Sequence, residues 1–493
     1  MTRDWHIDHP LALWLMLSIS SALGAGCVAD GPPHLDATTL KAASSERPYK
    51  QFGRSIDMSD DTLVVGAPWV KAPFSGWGKP VDLLDGGGVF IYRKVDGRWA
   101  FEAELQTPNL GMDDHFGWSV SVSGDRLVVG APNTCAAVQA AEDTSESCVK
   151  AGEAYVYRRH VGEWHLEAAL KALSADAPGT CAVSLHSPCG ADRFGYSVSI
   201  DGDTVAVGAP WQDGSSQSQR LADGRWTSPD AAGVAHVFRY DGDTWTHQAS
   251  LEESDGAPQD NFGVSVAVAA DTLAVASQDD ARGLVYVFAR DAGSWTQSAK
   301  LVSSRPARGP LTVDTDGTAL IVGAPDASGC VTEDGQAPDA SCKEGGAAYV
   351  YTRTAAGWSD EVYLTAETTL AGDAFGSSVA LSGSSAVVGA TGQAGCYVFG
   401  SAWREDGCAW AGAAYVFAHE AGGWVQVSYV KQSLRGEYDS DDTHRYFGQS
   451  VAVSGVDFAI GAIGADGCET GVDASPEFGC LGSGAVYVFD GIE

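Results

Sequence analysis

A Phe-Gly dipeptide, or in one copy its substitute, stands fourteen residues ahead of a Gly-Ala-Pro, or a relic of one, seven times along the chain. The aromatic falls at Phe52, Phe116, Phe194, Phe262, Phe375 and Phe447, and the fifth copy has Gly309-Pro310 instead. The Gly-Ala-Pro begins at Gly66, Gly130, Gly208 and Gly323, with Ala276, Gly389 and Gly461 opening the altered copies. One interval kept seven times in 493 residues requires one structural unit used seven times, so the length does not divide into independent domains.

Each unit continues in the same way. A glycine opens an aromatic strand: GGVFIY, GEAYVY, GVAHVF, GLVYVF, GAAYVY, GAAYVF and GAVYVF. Seven residues past the last aromatic of the first six copies lies Trp99, Trp164, Trp245, Trp295, Trp358 or Trp424, and six further on Leu105, Leu170, Leu251, Leu301, Leu364 or Val430. A unit therefore holds four short strands: an alternating one (SVSVS), an apolar one (RLVVGA), the aromatic one and one headed by Trp. Short Gly-Asp, Asp-Gly or Asp-Asp links suit two-residue hairpins between the first two. Sixty glycines and only four methionines agree with a turn-rich all-β chain. The fold class is all-β, a seven-bladed β-propeller of four-stranded blades.

The ends show how the ring closes. The seventh aromatic strand ends at Phe489, and no Trp-headed strand follows it in the sequence. HLDATTLKA, His34 to Ala42, matches HLEAALKA, His165 to Ala172, and places Leu40 where the second unit has Leu170. The N-terminal strand is expected to complete the last blade and so pair two open edges. Phe would fill the wedge between blades, Gly would permit a tight turn into the inner strand, and Pro would stop the ladder.

The N-terminus reads as an export signal. Arg3 precedes the apolar run Leu11 to Leu23, which is too short for a permanent span and ends in small residues. Ala25-Gly26-Cys27 resembles the bacterial lipobox, with Gly24 in the place usually held by Leu. The expected organisation is a signal peptide over 1–26, a tether over 27–34 behind a lipidated Cys27, and one propeller domain over 35–493. Val28 rather than Asp after the cysteine favours an outer-membrane lipoprotein of a Gram-negative cell; a periplasmic or secreted protein is the alternative. The other ten cysteines form five neighbouring pairs, Cys135 with Cys148, Cys181 with Cys189, Cys330 with Cys342, Cys396 with Cys408, and Cys468 with Cys480. In an exported chain such pairs are read as disulfides.

These motifs resemble the FG-GAP repeat family, known from the seven-bladed propeller at the head of integrin α chains and from bacterial exported proteins. The resemblance runs from about Leu35 to Phe489 and implies a recognition platform, often loaded with calcium. The family's calcium loops need several oxygens on a nine-residue turn between the first two strands. Here the equivalents are only Ser59-Asp60-Asp61-Thr62, Ser123-Gly124-Asp125-Arg126 or Asp201-Gly202-Asp203-Thr204, and Thr315-Asp316-Gly317-Thr318 reads as a plain hairpin turn. No cofactor is assigned, and calcium is the one cation the resemblance brings in.

The connections between first and second, and between third and fourth strands, keep their length. Insertion therefore falls on the opposite face, where six of seven second-to-third loops run to about twenty residues. Those loops carry Trp69, Phe74, Trp77, Trp211, Trp226, Trp403 and Trp410, the candidate ligand-contacting aromatics. A net charge of -34 sets nucleic acid aside as a partner and leaves the lipid as the only route to a membrane. There is no HExxH, Walker loop or GxSxG; Gly117-Trp118-Ser119 and Gly195-Tyr196-Ser197 recur from blade to blade and so read as scaffold, and the histidines, His115 among them, are scattered. The expected function is a non-enzymatic, envelope-anchored adhesion or recognition module, a monomer that takes a protein or glycan on its loop face. The alternative is a hydrolase or lyase with loop carboxylates at the mouth of the central channel.

Overall fold

The computed structural model describes residues 37–42, 51–70, 86–108, 114–134, 151–172, 192–212, 219–220, 226–227, 232–255, 260–278, 283–305, 307, 309–328, 344–364, 366, 369–394, 397–398, 410–431, 433–434, 445–465, 471–472 and 483–491. Among them there is no helix, and the strands form seven antiparallel blades around an axis. Blade 1 is typical: Ser55–Ser59, Thr62–Ala67, Gly88–Val95 and Arg98–Gln106 pair in sequence order. Blade 5 departs slightly, because its outer strand is split into Gly357–Trp358 and Val362–Leu364.

The ring closes as the sequence predicts. Ala37–Lys41 pairs antiparallel with Ala485–Phe489, and Leu40 faces Val486 as Leu170 faces Ala154 in blade 2. The structure adds a further strand: Gly471–Val472 pairs with the outer side of Ala37–Lys41, so this edge does not stay open.

The core is a set of seven wedges, one between each pair of neighbouring blades. Between blades 1 and 2, Phe116, Leu127 and Tyr155 pack against Val64, Ile91 and Leu105. Phe116 is fully buried, and its ring lies edge-on to Tyr157 with centroids 6.2 Å apart. Burying such a side chain contributes about 1.5–3 kcal/mol, which accounts for its repetition. Its backbone also makes a parallel bridge to Gly87 of the preceding blade.

The serines of the alternating strand have a role that periodicity does not reveal. The first strands send side chains sideways to the backbone of the next blade at up to three levels, and among the described residues blade 4 contributes only Ser265, which accepts from the Val313 amide. At the upper level Ser55 Oγ donates to the Gly117 carbonyl at 3.0 Å, and Ser119, Ser197, Thr312, Ser378 and Ser450 repeat the bond, Ser450 reaching Gly53 and closing the circle. At the middle level Asp57, Ser121, Ser199 and Asp314 accept from the amides of Val122, Ile200, Val268 and Leu381. At the lower level Ser59, Ser123, Asp201, Asp316, Ser382 and Ser454 accept from the turn amides of the next blade. Each such bond contributes on the order of 1 kcal/mol net, and together they fix the blades in one rotational register.

A second belt runs through the ends of the third strands. Arg159, Arg290 and Arg353 reach back to Thr62, Thr204 and Thr272 of the preceding blade, and Lys94 pairs with Asp457 across the closure. Between blades 2 and 3 the partners are exchanged: Arg126 of the earlier blade stacks 4.2 Å over the Tyr240 ring of the later one.

Candidate functional site

The Phe-Gly dipeptide sits in a β-turn that leads into each innermost strand. In blade 2 the Trp118 amide donates to the His115 carbonyl at 3.0 Å, and Gly117 takes φ +86, as the third position of a type II turn requires. The same bond joins Arg54 to Gln51 and Tyr196 to Arg193. The turn sets its first and last residues side by side at the inner rim, at the end of the ring where first strands begin and second strands finish. Because Phe and Gly are committed to packing, only these flanking positions vary freely.

In blades 1 to 3 every flanking position except Gln51 is aromatic or basic, and these residues join into one arc. Trp69 lies against His115 with centroids 4.9 Å apart and against Trp118 at 5.8 Å. His115 stacks on Trp118 at 5.8 Å with planes 15° apart. Trp118 meets Tyr196 at 5.6 Å, and Tyr196 meets Trp211 at 5.5 Å. Arg54 stands 4.4 Å over the Trp118 ring and Arg193 4.9 Å over Trp211. Asn133 ties the arc together, bonded through Nδ2 to His115 Nδ1 at 2.8 Å and accepting from Arg193 through Oδ1. Trp211 is 39% exposed, while Trp69, Trp118 and Tyr196 are partly buried. Burial lowers the pKa of both guanidiniums, partly opposed by the nearby Tyr196. In blades 4 to 6 the residue after the turn is Val264, Leu311 or Ser377, so the arc stops.

The sequence-predicted aromatics divide accordingly. Trp69 and Trp211 lie in the arc, whereas Trp410 is exposed and pairs with Tyr446 in another part of the ring. Trp226 belongs to a two-residue strand paired with Gln219–Arg220. Phe74, Trp77 and Trp403 lie outside the described residues, as do Cys27 and all ten paired cysteines. The arc also takes in residues the motif reading set aside: Trp118 and Tyr196, counted as scaffold, and His115, counted among scattered histidines. Their signal was present in the sequence, in the two positions that flank an otherwise constant Phe-Gly.

Two carboxylates sit below the arc on the middle level of the inner ring, Asp57 and Asp314. Desolvation raises the pKa of Asp57 to about 6, although the Val122 and Met58 amides and Ser121 favour its charged form. Desolvation, with a contribution from the Asp57 charge, raises Asp314 to about 7 against the Leu381 and Thr315 amides. Both are occupied in joining blades, and among the described residues no group of three or more His, Cys, Asp or Glu is placed to hold a metal ion. The raised native value means that the folded chain holds a proton which the unfolded chain has released. Stability from this group is therefore present at acid pH and declines from about pH 4 through about pH 7. Asp314→Asn is expected to leave stability nearly unchanged at pH 4 and to raise it at pH 8, by an amount on the order of a few kcal/mol. Thermal unfolding at the two pH values checks this; equal shifts at both would exclude a desolvated carboxylate.

The FG-GAP repeat family model matches residues 42–79, 99–157, 189–221, 245–288 and 358–417. Those segments fall in blades 1 to 6 and include the turns at Phe52, Phe116 and Phe194. No curated protein matches the chain. Among solved structures, that of Sqt1 from Saccharomyces cerevisiae aligns over 92% of this chain and 100% of its own, at 10% identity and a TM-score of 0.40, a likeness too loose to carry an argument. The repeats in fixed register, the seven closed blades and the family match agree: this chain is an FG-GAP repeat β-propeller.

Proposed function

We propose that the protein is a non-enzymatic recognition module that binds a glycan or a protein at the aromatic arc of its inner rim. The observation that carries this reading is the continuity of the arc from Trp69 through Trp118 and Tyr196 to Trp211, partly open to solvent on a rigid ring. Aromatic faces offer large contact area for little conformational entropy, and the closed ring holds them in place before any ligand arrives. The FG-GAP propeller family is generally non-catalytic. Both inner-ring aspartates are engaged between blades, which weighs against a hydrolase or lyase at the channel mouth.

The reading includes an exported protein tethered through a lipidated Cys27, with the five cysteine pairs closing loops on the same end of the ring as the arc. Mass spectrometry of the non-reduced native protein is expected to show a diacylglyceryl Cys27 at the new N-terminus and five sequence-local disulfides. Free or cross-paired thiols would remove the stapled loops from the proposal, and an unlipidated N-terminus would remove the anchor.

Binding itself is tested by probing the full chain against arrays of defined glycans and purified extracellular proteins. Trp118→Ala is expected to weaken the recovered interaction by about tenfold or more, as removal of a central aromatic anchor does. A ligand that binds Trp118→Ala and Trp211→Ala as tightly as the native chain would place recognition elsewhere.

A further inference from the structure

The arc contains an electrostatic anomaly. In a chain of net charge -34, arginines have carboxylates in easy reach, and several use them: Arg93 pairs with Asp61, Arg126 with Glu167, Arg159 with Asp125 and Arg290 with Asp271. Arg54 and Arg193 do not. Among the described residues neither makes an ion pair; Arg54 has only the Trp118 face, and Arg193 has the Trp211 face and the Asn133 amide oxygen. The Arg193 Nε is buried without a hydrogen-bond partner. A partly buried guanidinium left without a counter-charge costs free energy, and two of them over the rings of one aromatic surface, Arg54 at its middle and Arg193 at one end, make a site that lacks its anion.

From this we infer that the arc takes a carboxylated saccharide, with the sugar rings at its exposed end on Trp211, the Trp118 and Tyr196 rings backing that surface, and a carboxylate accepting hydrogen bonds from Arg54 or Arg193. This rests on the recognition reading above and narrows its ligand class. A planar guanidinium fork suits a carboxylate, and its stacking on indole holds the fork in place. Aromatic rings suit the apolar faces of sugar rings better than an extended peptide, because Asn133 is buried and already bonded to His115 and Arg193 and so offers a peptide backbone no partner. The overall charge sets a limit on the ligand. Two arginines neutralise one or two carboxylates, while each further negative charge meets the field of the whole molecule. The ligand is therefore a short or sparsely charged acidic glycan rather than a dense polyanion.

Isothermal titration of the full chain with trigalacturonate and with its methyl ester isolates the charge, because the rings are the same. The acid is expected to bind about tenfold or more tightly than the ester. Arg54→Met and Arg193→Met should each remove most of that preference, Arg54→Lys should retain part of it, and Trp118→Ala should weaken acid and ester alike. Unfolding midpoints of the variants show whether each remains folded. Sialyllactose against lactose is the second arm: preference there without trigalacturonate binding supports the same site with a terminal acidic sugar as its source. Equal binding of acid and ester, with loss of both in Trp118→Ala, overturns the anion inference and leaves the recognition reading standing. Binding of a tetrapeptide with two aspartates, and of neither sugar acid, overturns the saccharide. If no probe binds, the inference falls, and the array experiment separately decides the reading beneath it.

Discussion

Replacing Gly130 with alanine is expected to destabilise the protein by about 3 kcal/mol or more, a large effect for one added methyl group. The cause is distance. A Cβ at Gly130 would stand 2.0 Å from the Gly195 carbonyl oxygen of the next blade and 2.3 Å from the Ser119 Oγ. Neither neighbour is the free end of a long side chain. The first is backbone at the base of the next turn, and the second is held by its own bond to that same carbonyl. Relief would need blades 2 and 3 to move apart, opening the wedge filled by Phe194 and Val128. Gly422→Ala is the comparison, since nothing lies within 4 Å of its Cβ position and the change should be close to neutral. Urea unfolding of the two variants measures the difference. A Gly130→Ala midpoint equal to that of Gly422→Ala would mean that the blades are not in contact as described.

The second large effect is at the closure. Leu40→Asp places a carboxylate at a position with no solvent exposure, in the cluster that includes Phe52, Phe90 and Val486. A loss on the order of 4 kcal/mol or more is expected, concentrated in one strand. Release of Ala37–Lys41 would expose the edge of Ala485–Phe489 and leave Gly471–Val472 unpaired. The observable results are rapid proteolysis near the N-terminus and self-association on size-exclusion chromatography. Leu166→Asp, on an outer strand and 45% exposed, should do neither. Resistance of the Leu40 variant to protease would show that the ring does not depend on its N-terminal strand.

Sequence reading reached the fold because the residues it used answer to sterics. Phe116 must fill a wedge, Gly117 must take positive φ, Gly130 must admit a neighbouring carbonyl, and the chain shows each as an identity at a constant interval. Leu40 was legible for the same reason, since it occupies the repeat position of Leu170. The site was not legible in this way. Arg54, Trp118 and Tyr196 share a repeat position but no residue type, so a search for constancy passes over them. Their meaning depends on which blades stand next to each other, and on Trp69 and Trp211 arriving from the ends of second strands. The inner-ring serines were hidden differently: Ser121 reads as the polar half of an alternating strand, and only the closed ring shows that its hydroxyl accepts from the Ile200 amide. Asp57 and Asp314 are likewise ordinary until the ring sets them on one level.

The sideways bonds of the inner strands run from a side chain on one blade to the main chain of the next. Every residue except proline offers the same main-chain groups, so outside the shared Phe and Gly positions these bonds ask almost nothing of the neighbouring blade's sequence. Units joined in this way can be duplicated, exchanged or allowed to drift without matched changes on both sides of a seam. Selection on the two residues beside each Phe-Gly can then proceed one blade at a time. On this account an arc confined to three blades of seven is what a modular ring permits: one sector can become specialised while the remaining blades keep the circle shut.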